Sequence, residues 1–247
     1  MSKDPSEPTS ARTPDNQSRS APAMSPRVEI DRFLGQVKAL SPDAKTERRG
    51  RLIFALDATM SRQPTWDQAC KLQAEMFHEA AAAGGLDIQL VYYRGFAECR
   101  ASSWIADPHR LGALMAGIDC RGGQTQIAKI LAHARRETEN SKVAVLVFVG
   151  DAMEESLDEL CARAGELGLR NVKAFMFQEG QDPICEQAFR EIARLTHGAY
   201  CRFAPGAAHE LAELLRAAAA YAAGGLKALA NLKAHTEGVA RLIEQLK

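Results

Sequence analysis

The chain lacks any apolar run long enough to cross a bilayer. Residues 1–25 lack the apolar core of a signal peptide; they are mainly Ser, Pro, Asp and Arg. So few large apolar side chains cannot offset the entropy of ordering, and a disordered tail is expected there. Surplus charge of one sign is missing too, because 31 basic residues face 31 acidic ones. That balance gives no field for nucleic acid and no acidic solvating chain, so neither nucleic acid nor membrane is expected as a partner. The six cysteines form no C-x-x-C pair and have no His at ligand spacing. Zinc is disfavoured, and reduced thiols in a cytoplasmic protein are the expectation. The six histidines share no short spacing. No G-x-G-x-x-G, P-loop pattern or internal repeat is present. Aromatics are 6% of the chain, and no basic stripe accompanies Trp66, Trp104, Tyr92 and Tyr93, which read as packing residues.

What is present is a rhythm of buried strands and amphipathic helices. Ser25-Pro26 starts a helix carrying Ile30, Phe33, Leu34, Val37 and Leu40, and Pro42 closes it. A charged linker from Lys45 leads to Leu52–Leu56, an unbroken apolar run that suits a strand buried on both faces. Thr65 is the expected cap of the next helix, whose apolar face includes Ala69, Leu72 and Met76. Leu86–Tyr93 and Phe96–Ala101 read as a hairpin, the second strand antiparallel at the sheet edge. Asp107-Pro108 opens a short helix. After Gly122-Gly123 comes a helix with Ile127, Ile130, Leu131 and Ala134 inward. Further strands are expected at 143–149, 172–177 and 199–203, with helices starting near Ser156, Cys185 and Ala207. Gly224-Gly225 breaks the last of these before a final helix to Lys247. The fold class is α/β: a doubly wound, mostly parallel six-stranded sheet with one antiparallel edge strand, plus helices at both termini.

Two of the buried runs end in a carboxylate. Asp57 follows the first, with Thr59 and Ser61 in the turn beyond; Asp151 follows Val143–Val149. Thr125 stands between them in the chain, after Arg121-Gly122-Gly123-Gln124 and at the mouth of a helix. Ligands of open parallel sheets sit outside the carboxyl ends of the strands. All five side chains are oxygen donors, which suits Mg²⁺ or Mn²⁺, with Ca²⁺ a third candidate, rather than zinc.

This order of residues resembles the von Willebrand factor A (VWA) domain and its metal-ion-dependent adhesion site. That motif is Asp-x-Ser-x-Ser, then a distant Thr, then a distant Asp. Asp57, Thr59, Ser61, Thr125 and Asp151 match it, with Thr59 in place of a usual Ser and Ala152-Met153 where a Gly is common. The resemblance implies a Rossmann-like fold over residues 48–224, preceded by a tail (1–25) and a helix with linker (26–47), and followed by a helical extension (225–247). It also implies a binding module in which a partner's Asp or Glu completes the coordination of the metal. Intracellular members work with other proteins, including AAA-type ATPases. On this reading the chain is not an enzyme and has no catalytic residue. The alternative is an Mg²⁺-dependent phosphotransferase or phosphatase with Asp57 as nucleophile. Haloacid-dehalogenase-like enzymes need a second Asp two positions on, where this chain has Thr59. Glu154 and Glu155, near Asp151, read as a solvated helix start favoured by the helix dipole.

Overall fold

The computed structural model describes residues 26–39, 49–81 and 85–235. The expected tail over 1–25, most of the linker before Arg49, and the last part of the C-terminal helix, with Val239, Leu242, Ile243 and Leu246, lie outside the described residues.

Among the described residues six strands form one sheet: β1 (Gly50–Asp57), β2 (Leu86–Arg94), β3 (Glu98–Ala101), β4 (Val145–Gly150), β5 (Lys173–Glu179) and β6 (Ala199–Phe203). Their spatial order is β3-β2-β1-β4-β5-β6, and β3 alone runs antiparallel. The mixed, mostly parallel sheet expected from the sequence is the one observed. The chain builds outward through β2 and β3, then crosses back to lay β4 on the other side of β1. This reversal places the crevice of an open α/β sheet between the ends of β1 and β4.

Alternation along β1 divides the core. Leu52, Phe54 and Leu56 face a layer made by α1 (Pro26–Ala39), α2 (Gln63–Ala81), α3 (Pro108–Ala116) and α7 (Ala208–His235). Ile53 and Ala55 face α4 (Ile127–Asn140), α5 (Leu157–Gly168) and α6 (Pro183–Leu195). All five of these β1 residues are buried. Each large one contributes about 1.5–3 kcal/mol, so β1 is fixed firmly and its end makes a rigid platform. The helix α7 is buried nearly all round along Ala217–Ala220, since small side chains let it lie close to the sheet. The expected break at Gly224-Gly225 is a kink, with Gly225 at φ +61°, a conformation open to glycine. Helix continues beyond it to His235.

One helix start departs from expectation. Thr65 does not cap α2. A 3₁₀ turn, Met60–Arg62, leads directly into α2 at Gln63, so Thr65 already lies inside the helix. The helix starts at Asp107 and Ser156 are as the sequence suggests, and Asp182 caps α6, which begins two residues before the expected start at Cys185; each of the three side chains accepts from a first-turn N–H.

Candidate metal centre

β1 ends in Asp57, which is 3% exposed. Its two oxygens are held from different elements. The Thr59 N–H donates to Oδ1 at 2.7 Å, and the Tyr93 hydroxyl, at the end of β2, donates to Oδ2 at 2.9 Å. Tyr93 lies opposite Asp57 in the parallel register. Burial pushes the Asp57 carboxyl above its ordinary range and the neighbouring Asp151 adds to that push, while the hydrogen bonds from Thr59 and Tyr93 oppose it. The Tyr93 hydroxyl is raised well above its own ordinary value, by burial first and by Asp57 next.

From Asp57 a line of oxygens runs towards the end of β4. Thr59 Oγ1 is 3.3 Å from Ser61 Oγ, and Ser61 Oγ donates to Asp151 Oδ2 at 3.4 Å. The structure therefore brings Asp57, Thr59, Ser61 and Asp151 together, as the sequence motif requires. Thr125 stands beside the same loop by another route. Its N–H donates to Glu154 Oε2 and its Oγ1 accepts from the Glu154 N–H, both at 3.0 Å. Its contacts are with Glu154 and Glu155; among the described residues none is a hydrogen bond to the other four oxygen donors.

The loop before Thr125 is pinned to the platform. Arg121 N–H donates to Ala58 O at 3.0 Å, and Gln124 N–H to Gly95 O at 3.1 Å. A Cβ at Gly123 would overlap the Gly95 carbonyl, so this approach requires glycine there.

Four side chains near this centre were not legible as functional. Glu155 is no solvated residue at a helix start. Its carboxylate accepts from Ile127 N at 2.5 Å and Ala128 N at 2.9 Å, capping α4 from another loop. Arg62 and Glu179, at the end of β5, form a buried ion pair, and Thr65 Oγ1 donates to the same carboxylate. Arg62 Nη1 also lies 3.8 Å from Asp151 Oδ2, while its buried Nε has no hydrogen-bond partner. Tyr93 completes the set. The Ser61-Arg62 adjacency was a sequence signal for Arg62. Glu179 and Tyr93 depend on strand register, which no local pattern shows.

The donor chemistry fits a hard dication: two carboxylates and hydroxyls, with the carboxylate repulsion that a cation would relieve. Among the described residues no group of three or more His, Cys, Asp or Glu side chains has metal-ligating geometry, so a cation here relies on hydroxyls.

No protein-family model and no curated protein matches the sequence. Solved structures do share the architecture. The SpRpn10 VWA domain is 14% identical with a TM-score of 0.53, covering 68% of this chain and 94% of that domain. The D319A mutant of the PilB minor pilin from Streptococcus sanguinis is 8% identical, TM-score 0.52, over 70% of this chain and 61% of that one. The human COPII-coat protein Sec24c is 10% identical, TM-score 0.51, over 72% of this chain and 32% of that one. Identities this low establish fold alone, and the fold of this chain is VWA-like.

Proposed function

We propose that this chain is a divalent-cation-dependent protein-binding module. Mg²⁺ or Mn²⁺, with Ca²⁺ the third candidate, is held by Asp57, Thr59, Ser61, Thr125 and Asp151. The observation that carries the reading is the continuous line Thr59–Ser61–Asp151 beside the oriented Asp57, at the switch point of the sheet. A bound dication supplies the positive charge that attracts a carboxylate from a partner's Asp or Glu. The chain's own residues fix the geometry. Tyr93 and the Thr59 N–H orient Asp57, and the Glu154–Thr125 exchange joins the helix α4 loop to the Asp151 loop.

The surroundings suit a protein partner. Met60, Phe96 and Ile184 are large exposed apolar side chains in the segments that follow β1, β2 and β5, with Met60 in the 3₁₀ turn, Ile184 in the first turn of α6 and Phe96 at 78% exposure. Those segments leave the same end of the sheet as the oxygen cluster. Exposed aromatic side chains and Met are enriched in protein contact patches relative to the rest of a surface. The module performs no catalytic step. Asp57 is buried with both oxygens engaged, a poor stance for a nucleophile. An AAA-type ATPase system remains the partner class suggested by the sequence resemblance.

The test is capture of native partners by tagged protein in Mg²⁺ buffer and in EDTA, with Asp57→Asn in parallel. Partners that leave in EDTA and never join the variant support the proposal. Partners that bind equally in all three arms refute it.

A further inference from the structure

A groove of about 520 Å³ lies away from the oxygen cluster and shares no residue with it. Its walls are the edge strand β3, the outer face of α4 and part of α5. Three cationic side chains line it, Lys129, Arg136 and Arg163, against a single carboxylate, Glu159, while Arg100 borders it through β3 with its side chain on the other face of the sheet from Cys99 and Ala101. For a chain whose charges balance overall, this is a local excess. Arg163 pairs with Glu159 and Arg100 with Glu98, while Arg136 has no ion pair among the described residues. Lys129 is held over the β2–β3 turn by Ala97 O at 3.2 Å and Gln126 Oε1 at 2.7 Å. The floor is apolar and small, including Val91, Ala128 and Ala132. A cleft lined with one sign of charge concentrates its field on a ligand of the other sign.

The second observation concerns the main chain. Among the described residues β3 pairs with β2 alone and forms the edge of the sheet. Ser102 N–H donates to Leu90 O at 2.8 Å, and Ala58 N–H to Tyr93 O at 2.9 Å on the other side of β2. In an antiparallel ladder, paired positions alternate between bonded and unbonded. Tyr92–Arg100 and Arg94–Glu98 are then the bonded pairs, and Cys99 and Ala101 aim their N–H and C=O groups away from β2. Their side chains lie on the groove side of the sheet. An open strand edge beneath a cationic rim calls for an extended chain carrying negative charge.

We propose that this groove binds an extended acidic peptide segment of a partner protein, which adds as a strand to β3 beneath Lys129 and Arg136. The free main-chain edge selects a peptide over other polyanions. Among the described residues no Phe, Tyr or Trp lines the groove to stack a base, which disfavours single-stranded nucleic acid. This surface is independent of the cation centre, and the two proposals fail separately.

The probe is a fluorescein-labelled peptide alternating Glu and Val, read by fluorescence anisotropy at low salt. Controls are the Lys–Val peptide, the Glu–Val peptide N-methylated at alternate amides, and a labelled single-stranded oligonucleotide. Wild type and Asp57→Asn should bind Glu–Val equally and leave Lys–Val free. Arg136→Glu, which sacrifices no ion pair, should weaken binding about tenfold, and adding Lys129→Glu should weaken it further. N-methylation, which removes main-chain donors and leaves the charge, should abolish binding. The proposal is overturned if wild type fails to bind Glu–Val. It is also overturned if the N-methylated peptide binds as well as the parent, if Arg136→Glu binds normally, or if the oligonucleotide binds more tightly than the peptide.

Discussion

Asp57 and Asp151 close adjacent parallel strands, yet their surroundings differ. Asp57 is 3% exposed, held by neutral donors, and pushed towards its protonated form by burial. The Asp151 side chain is 29% exposed, touches the Ser61 hydroxyl and has the Arg62 guanidinium 3.8 Å away. The first is a fixed carboxylate whose charge no cation among the described residues balances. The second has a cation of the protein's own beside it. A divalent ion would therefore gain most from Asp57, and Asp151 would serve as the adjustable side of the centre.

The two carboxylate surroundings differ most in Arg62, which stands beside Asp151. Removing it by Arg62→Met leaves Glu179 buried and charged, with Thr65 and the Gly206 N–H as its remaining donors. A lost partner in a buried pair costs about 3–5 kcal/mol, and urea unfolding should show a loss of that order. The double change Arg62→Met with Glu179→Gln should recover part of it. If Arg62→Met shifts stability by less than about 1 kcal/mol, the pair is not the anchor of this loop.

The next effect separates the two aspartates. Without added metal, Asp57→Asn should leave stability within about 1 kcal/mol of wild type or raise it, because it removes a charge that burial disfavours. Asp151→Asn should cost about 1 kcal/mol through its weakened attraction to Arg62. The reverse ranking in denaturant melts would contradict the division drawn between them. On the Asp151 side, Ser156→Ala removes the cap of α5 and should cost about 1 kcal/mol.

The smallest effect is a rate. Cys120, adjacent to Arg121 whose N–H bonds Ala58 O, is buried and its thiol is pushed up to about 11 by burial first and Asp57 next. Cys161, on α5 beyond Asp151, is half-buried. Folding favours the protonated Cys120 thiol, so its contribution to stability is full below the ordinary value near 9 and fades as pH rises towards 11. Alkylation at about pH 8 should label Cys161 well before Cys120. Mass spectrometry of the labelled protein reads the order, and equal rates would mean that the Asp57 side opens as readily as the Asp151 side.

The sequence carried the strands and most helix starts, because each is a local pattern. Leu52–Leu56 is apolar without interruption and is the buried apolar part of β1, which Asp57 extends as a buried carboxylate. Asp107, Ser156 and Asp182 precede helices and cap them. Thr65 misled because the turn Met60–Arg62 begins the helical winding earlier, and its hydroxyl serves Glu179 instead. The cluster Asp57–Thr59–Ser61 was local, and Asp151 was found by its place after a second buried run. Tyr93, Glu155 and Glu179 were missed for a common reason. Their partners lie 36, 28 and 117 residues away in the chain, joined by register and loop packing that no spacing rule contains.

The central claim is that the oxygen cluster binds a divalent cation. Thermal unfolding of wild type, Asp57→Asn and Ser61→Ala, with and without millimolar Mn²⁺, tests it most directly. A ligand that binds the native state alone adds about 2.7 kcal/mol at a hundredfold excess over its dissociation constant. The account predicts a clear upward shift in wild type, none in Asp57→Asn and a reduced one in Ser61→Ala. An unchanged midpoint in wild type, or an equal shift in all three proteins, would contradict it.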